Sequence, residues 1–169
     1  MAQLADPSLK PYLRVRSLAV CGLVIAQGRV LFGRRHPGLA LEGGLWELTP
    51  SGTIHGTHRE ADGSVSYRLQ FLEELREELG LTLQDSQPVV PFALVEDTVL
   101  SNWDLGLALR IESDPEGIVA GHSFGPDDEY TELALVPEAQ VAAFVRARRG
   151  EMVGVSRQLL WAYGLTPQP

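Results

Sequence analysis

Three glutamates are spaced for joint work in the segment Gln70-Phe-Leu-Glu-Glu-Leu-Arg-Glu-Glu-Leu-Gly-Leu81. Glu74, Glu77 and Glu78 stand at i, i+3 and i+4, so a helix turning roughly 100° per residue puts them on one face. Carboxylates packed this way repel one another and weaken the helix unless a cation neutralises them. The gap between them suits a hard divalent ion. Mg2+ takes one or two protein carboxylates, keeps several waters and completes its shell with substrate phosphate; Mn2+ accepts the same oxygen donors. The chemistry that needs such a set is attack of water on phosphorus, which requires charge neutralisation, positioning and removal of a proton. The same Glu-x-x-Glu-Glu pattern on an amphipathic helix also describes an ordinary solvated face, so its surroundings decide its meaning.

The elements around it must hold the glutamates in place. Leu72, Leu75 and Leu79 predict a narrow apolar stripe roughly 140° from the acidic face. The helix is expected from Ser66 to Leu79, stopped by Gly80. Upstream, Ser17 to Ile25 reads as a buried strand and Ala26-Gln-Gly-Arg29 as a tight hairpin. Val30 to Gly33 returns as a strand ending in Arg34 and Arg35, where bidentate contacts to a phosphate make sense. A loop from His36 to Gly44 leads to a short strand, Leu45 to Leu48, broken by Pro50 and Gly52. Residues 53–65 read as a polar surface loop. Downstream, Val89 to Val95, Trp103 to Ile111 and Tyr130 to Val136 read as strands. A long acidic loop from Ser113 to Asp128 separates the last two. Pro137 opens a helix expected to reach Arg149, and Ser156 to Tyr163 forms a final one. The class is mixed α/β, in one domain spanning 1–169.

Hydrophobic residues at 44% and charged residues at 21% exclude disorder and fibrous architecture. The net charge is −8, and all but one of the 14 basic residues are arginine, Lys10 being the exception. Such a chain repels polyanions over most of its surface, which argues against nucleic acid as a partner. A small anion can still bind through a local arginine cluster or a bound cation. Met1 to Lys10 lacks the pattern of a signal peptide, and no apolar run is long enough to span a membrane. A cytoplasmic domain with no membrane partner is the expectation, and a homodimer is compatible with it. The single cysteine, Cys21, rules out an internal disulfide and reads as an inert core residue.

The stretch Gly44-Leu-Trp-Glu-Leu-Thr-Pro-Ser-Gly52, taken with Glu74-Leu-x-Glu77-Glu78-x-Gly80-Leu81, resembles the Nudix family, whose box joins a glycine loop to a helix carrying Arg-Glu-apolar-x-Glu-Glu-x-Gly-apolar. The wider order of elements over residues 17–149 is similar too. The resemblance implies an α/β/α sandwich with a mixed β-sheet. It also implies Mg2+- or Mn2+-dependent hydrolysis of a diphosphate linkage in a small molecule, typically a nucleoside diphosphate derivative. Glu74, Glu77 and Glu78 with the backbone of Gly52 would then hold the metal. Glu77 and Glu74 would carry the catalysis, and Arg34 and Arg35 would contact the substrate. Two positions depart from the family pattern. Glu73 replaces the box arginine, with Arg76 its expected partner. The loop after Gly52 is longer, so the family's loop glutamate falls at His58, with Glu60 the nearest acid. A Nudix-fold module that senses a nucleotide without cleaving it is the main alternative. An isoprenyl-diphosphate isomerase is another, although Cys21 is badly placed for the cysteine that chemistry uses.

Other residues weigh less. His36, His55 and His58 have no zinc-site spacing. Trp46 reads as core, while Trp103 suits either core or a stacked base. The acidic run Asp127-Asp128-Glu129 with Glu132 reads either as a distal carboxylate set or as a solvated loop.

Overall fold

The computed structural model describes residues 8, 16–83, 87–122, 124–125 and 128–169. Asp127 and the N-terminal stretch with Lys10 lie outside the described residues. The strands are β1 (Ser17–Ala26), β2 (Arg29–Arg35), β3 (Trp46–Leu48), β4 (Ser51–Thr53), β5 (Val90–Asp97), β6 (Asn102–Ile111) and β7 (Tyr130–Pro137). The helices are α1 (Tyr67–Leu79), α2 (Pro115–Gly121), α3 (Val141–Ala147) and α4 (Gly154–Tyr163). Among the described residues no helix is long and apolar enough to cross a membrane.

β1 and β2 meet in the expected hairpin, with Gln27 at φ 46° and Gly28 at φ 76°. Two successive positive φ values match the right-handed twist of the flanking strands. β1 runs parallel to β6 along its whole length, while β5 pairs antiparallel with β6, and β3 and β7 pair antiparallel with β2. The sheet is therefore mixed. β1 and β2 stay paired only at Ile25 and Ala26. Further back, β1 pairs with β4 at Ala19 to Cys21, and the Gly22 N–H donates to the Pro50 carbonyl at 2.7 Å. The strands thus part company in front of the hairpin, and a cleft opens there.

β1 is buried on both faces, which is why it reads as a continuous apolar run. Leu23 and Ile25 pack with Val141 of α3 and Leu159 and Leu160 of α4. Val20 and Val24 face the other way, toward Phe71, Leu75 and Leu79 of α1. The two helical layers enclose the sheet, giving the expected α/β/α sandwich.

Several local expectations are corrected. The buried stripe of α1 is Phe71, Leu75 and Leu79, with Leu72 only half-buried. Phe71 and Glu78 are seven residues apart, roughly 20° short of two full turns, so Glu78 belongs to the buried side rather than to the opposite face. A short strand, β4, resumes directly after Pro50, and the polar loop also holds a bridge between Arg59 and Val65. The acidic loop after β6 contains α2, whose Asp114 cap accepts from the N–H groups of Glu116 and Gly117 ahead of Pro115 at the first turn. The helix after Pro137 starts as a 3-10 turn at Glu138–Gln140, continues as α3, and ends in a second 3-10 turn at Arg149–Glu151.

Candidate active site

Helix α1 presents its three glutamates at graded depths. Ser66 caps its start, accepting from the Leu69 N–H at 3.4 Å, and Gly80 ends it in the left-handed conformation. Glu78 is 8% exposed. Its Oε2 accepts from Thr49 Oγ1 and from the Ser51 N–H, both at 3.1 Å. Its Oε1 is buried and has no hydrogen-bond partner among the described residues. Glu74 is half-buried and accepts from Gln70 Nε2 at 2.7 Å. Glu77 keeps a side chain 55% exposed, paired with Arg76 at 2.8 Å.

These glutamates line a cavity of about 210 Å³ with His122, Asp128, Glu129 and Tyr130. Among the described residues no three carboxyl or imidazole groups are already gathered about one point as metal ligands. Burial pushes the Glu78 carboxyl well above the usual range, and Glu129, Glu47 and Glu74 push it further the same way. Burial also raises Glu74, with Glu129 and Glu77 adding to it. An acidic set of oxygens, one of them buried and unsatisfied, is what a hard divalent cation would complete. The residues present fit such an ion.

Gly52 belongs to this arrangement through contact. A Cβ there would lie 1.9 Å from Glu74 Oε1, so the carboxylate packs where any side chain would stand. Gln70, 1% exposed, accepts from the His55 N–H at 3.0 Å through Oε1 while its Nε2 holds Glu74. One buried amide thereby ties the loop to a candidate ligand. A second tie joins His58 Nε2 and Glu73 Oε2 at 2.8 Å, and it holds the Glu73 carboxyl below its ordinary range. Arg76, the expected partner of Glu73, pairs with Glu77 instead.

Behind Glu78 lies a second buried carboxylate. The Tyr130 hydroxyl stands 3.0 Å from Glu78 Oε2 and 3.0 Å from Glu47 Oε1. A phenol has one proton, so both contacts are hydrogen bonds only when one of the two carboxyls is itself protonated. Burial pushes Glu47 up to about 7 even though Arg35 pulls it down. Arg35 Nη1 binds Glu47 at 2.5 Å and Glu129 at 2.8 Å, with its side chain 14% exposed. Burial opposes its charge, but Glu47 and Glu129 outweigh that and hold it firmly protonated. The structure therefore spends Arg35 on internal carboxylates. Arg34 donates to the Gly44 carbonyl at 3.3 Å and faces Glu132 at 3.8 Å, and it does not line the cavity of the glutamates.

A larger cavity of about 420 Å³ adjoins the first, with Glu74 lining both. Cys21, Arg35, Glu47, Gly52, Asn102 and Asp104 are among its walls. Burial, with Asp97 and Glu42 nearby, pushes Asp104 up to about 6. Burial likewise raises the Cys21 thiol, which keeps it protonated and unreactive.

No family model matches the chain, and neither does any curated protein. Solved structures do. A protein of Deinococcus radiodurans, DR0079, superposes with a TM-score of 0.62 at 21% identity, over 88% of this chain and 83% of that one. The NUDIX domain of Shewanella oneidensis NrtR, complexed with ADP ribose, superposes with a TM-score of 0.59 at 17% identity, over 96% of this chain and 94% of that one. The chain has the Nudix fold. A bifunctional NMN adenylyltransferase/ADP ribose pyrophosphatase of Francisella tularensis, complexed with AMP and Mn ion, also superposes, with a TM-score of 0.59 at 15% identity. This chain covers 44% of that longer one.

Within the Nudix fold, Glu74, Glu77 and Glu78 line the smaller cavity, and Gly52 lines the larger one, in contact with Glu74. Arg35 reaches the cleft from the side and Arg34 does not. Trp46 is core, stacked edge-on to Phe144. Trp103 is half-buried on β6. Of the acidic run, Glu129 and Asp128 line the smaller cavity, whereas Glu132 pairs with Arg34. Sequence reasoning missed Glu47, Tyr130, Gln70 and Asp104. Glu47 and Asp104 carried one faint signal, a charged residue inside an apolar strand.

Proposed function

We propose that the chain is a divalent-metal-dependent hydrolase acting on a diphosphate linkage in a nucleoside diphosphate derivative. The observation that carries this reading is Glu78: a carboxylate held rigidly in the protein, with one oxygen unsatisfied in a cavity walled by further carboxylates. Glu78, Glu74 and Glu77, with the backbone of Gly52, would hold Mg2+ or Mn2+. Such an ion, when bound, neutralises the diphosphate and makes water a better nucleophile.

The chain's own groups have distinct tasks. Thr49 and the Ser51 N–H fix Glu78, and Gln70 fixes Glu74. Glu77, open to solvent, would take a proton from water, with Glu74 the second candidate. Arg35 offsets part of the charge of Glu47 and Glu129 at the cleft wall, and an entering phosphate would share it with those two carboxylates. The larger cavity, with Asn102 and Asp104, would take the non-phosphate part of the substrate. ADP ribose is the first compound to try, because two similar structures carry it in their names.

A sensor that binds such a nucleotide without cleaving it is the second reading, favoured by Glu73, whose partner is a histidine of the loop. The deciding experiment measures AMP release from ADP ribose, and release of the nucleoside monophosphate from a panel of nucleoside diphosphate derivatives, with Mg2+ or Mn2+. Turnover that falls by about two to three orders of magnitude in Glu78→Gln supports the hydrolase. Saturable binding of metal and nucleotide without turnover supports the sensor. No divalent binding with or without diphosphates removes the metal site altogether.

A further inference from the structure

On the far side of the sheet from α1, three arginines line a hollow whose described lining includes no aspartate or glutamate. Elsewhere the described arginines are matched. Arg16, Arg29, Arg34, Arg35, Arg76 and Arg110 each pair with an acidic side chain. Arg59 and Arg68 donate to the carbonyls of Gly63 and Gln87, and Arg148 lies 4.2 Å from the ring centroid of Phe144. Arg146 at the end of α3, Arg149 in the following turn and Arg157 in the first turn of α4 make no side-chain hydrogen bond or ion pair among the described residues. Arg157 Nε is moreover buried with no partner. All three line one cavity of about 140 Å³, walled also by Ala142, Val145 and Pro167.

In a chain with 22 acidic and 14 basic residues, an exposed arginine meets a carboxylate easily. Glu151 stands two residues from Arg149 and forms no ion pair. Three guanidiniums facing one small hollow repel one another, and their aliphatic surroundings screen that repulsion less than water does. The planar fork of arginine matches phosphate oxygens two at a time. We propose that this hollow between α3, α4 and the C-terminal segment binds a dianionic phosphate group, as the free ion or as a small monoester. The site is independent of the carboxylate cleft and of the reaction assigned to it.

The experiment titrates the full chain with inorganic phosphate and with phenyl phosphate by calorimetry, in EDTA so that no metal bridges phosphate to the glutamates. Saturable binding is expected. Arg157→Gln, and separately Arg146→Gln with Arg149→Gln, should weaken it at least about tenfold. Arg16→Gln, outside the hollow, should not. Because the double variant changes only exposed side chains, its thermal midpoint without phosphate should stay equal or rise as repulsion is relieved. Stronger binding of phenyl phosphate would assign the aliphatic wall to an ester group, and equal binding would assign the hollow to the free ion. Absence of saturable binding, or equal affinity in wild type and both arginine variants, overturns the proposal.

Discussion

A carboxylate's depth, more than its position in a motif, sets what its substitution does here. Glu78 is buried, charged only at a cost, and anchored by Thr49, Ser51 and Tyr130. Replacing it with glutamine keeps those acceptor contacts and removes the burden of ionising a buried group. Metal-free stability should therefore hold or rise while turnover collapses. Glu77→Gln should also lower turnover, with no matching gain in stability, since Glu77 is already solvated. Denaturant melts and rate assays on the same two proteins check the pair. Asp104 gives a cleaner pH test because it is not one of the carboxylates proposed to hold the metal. Its carboxyl rises from 3.8 to about 6 on folding. A raised acid pKa means the folded state holds the proton more tightly. Its contribution is therefore most favourable below the unfolded value and is lost as pH climbs through about 6. Asp104→Asn should be more stable than wild type at pH 7.5 by about 1–3 kcal/mol, and the gap should close toward pH 4. Equal stabilities at pH 7.5 would show that the folded state does not penalise this charge.

At the scale of elements, α1 is useful only because β4 and the 53–65 loop are pinned against it. Gly52, Gln70 and the His58–Glu73 pair are the pins. Gly52→Ala must displace the Glu74 carboxylate, since the new methyl would occupy its place. We expect weaker divalent affinity, read by calorimetry, with little change in the circular dichroism of the fold. Gln70→Leu removes the acceptor of the His55 N–H and frees Glu74, a loss of about 0.5–1.5 kcal/mol for the part-buried hydrogen bond to the loop. Gln70→Glu restores the acceptor for His55 and loses the donor to Glu74. Comparing kcat and KM between the two variants separates loss of loop anchoring from loss of ligand orientation. Glu73→Ala removes only the outer tie and should cost less than about tenfold in turnover. A loss equal to that of Glu78→Gln would make Glu73 a working ligand.

For the molecule as a whole, the acidic charge is unevenly placed. Glu47, Glu74, Glu78, Asp104 and Glu129 crowd the parting of the sheet, and among the described residues Arg35 is the one arginine lining the larger cavity there. Anything that neutralises this cleft in the native state must stabilise the fold by linkage. The thermal midpoint should therefore rise with Mg2+ or Mn2+, and rise further when a diphosphate is added, because phosphate oxygens complete the metal's shell. A midpoint indifferent to both would mean that the cleft does not gather metal and diphosphate together.

The glutamate spacing, the hairpin at Gln27-Gly28, the Gly80 stop and the order of strands were legible along the chain because each depends on neighbours within a turn or two. They sufficed for a mixed α/β class and for the acidic helix, whereas the sandwich and the place of Gly52 followed from the resemblance to the Nudix box. α2 was hidden because Asp114-Pro115 begins a helix with glycines within it and a short apolar face. The Leu72 stripe failed because the periodicity of a helix shows which residues share a face and not which face the sheet will cover. In the packed helix Phe71 rather than Leu72 meets β1, and that rotation carries Glu78 inward. Tertiary structure alone brought Glu47 to Tyr130, His58 to Glu73 and Arg35 to Glu129. Such pairs join residues far apart in the chain, and a charge's partner is fixed only when the strands and helices that carry both have closed around the core.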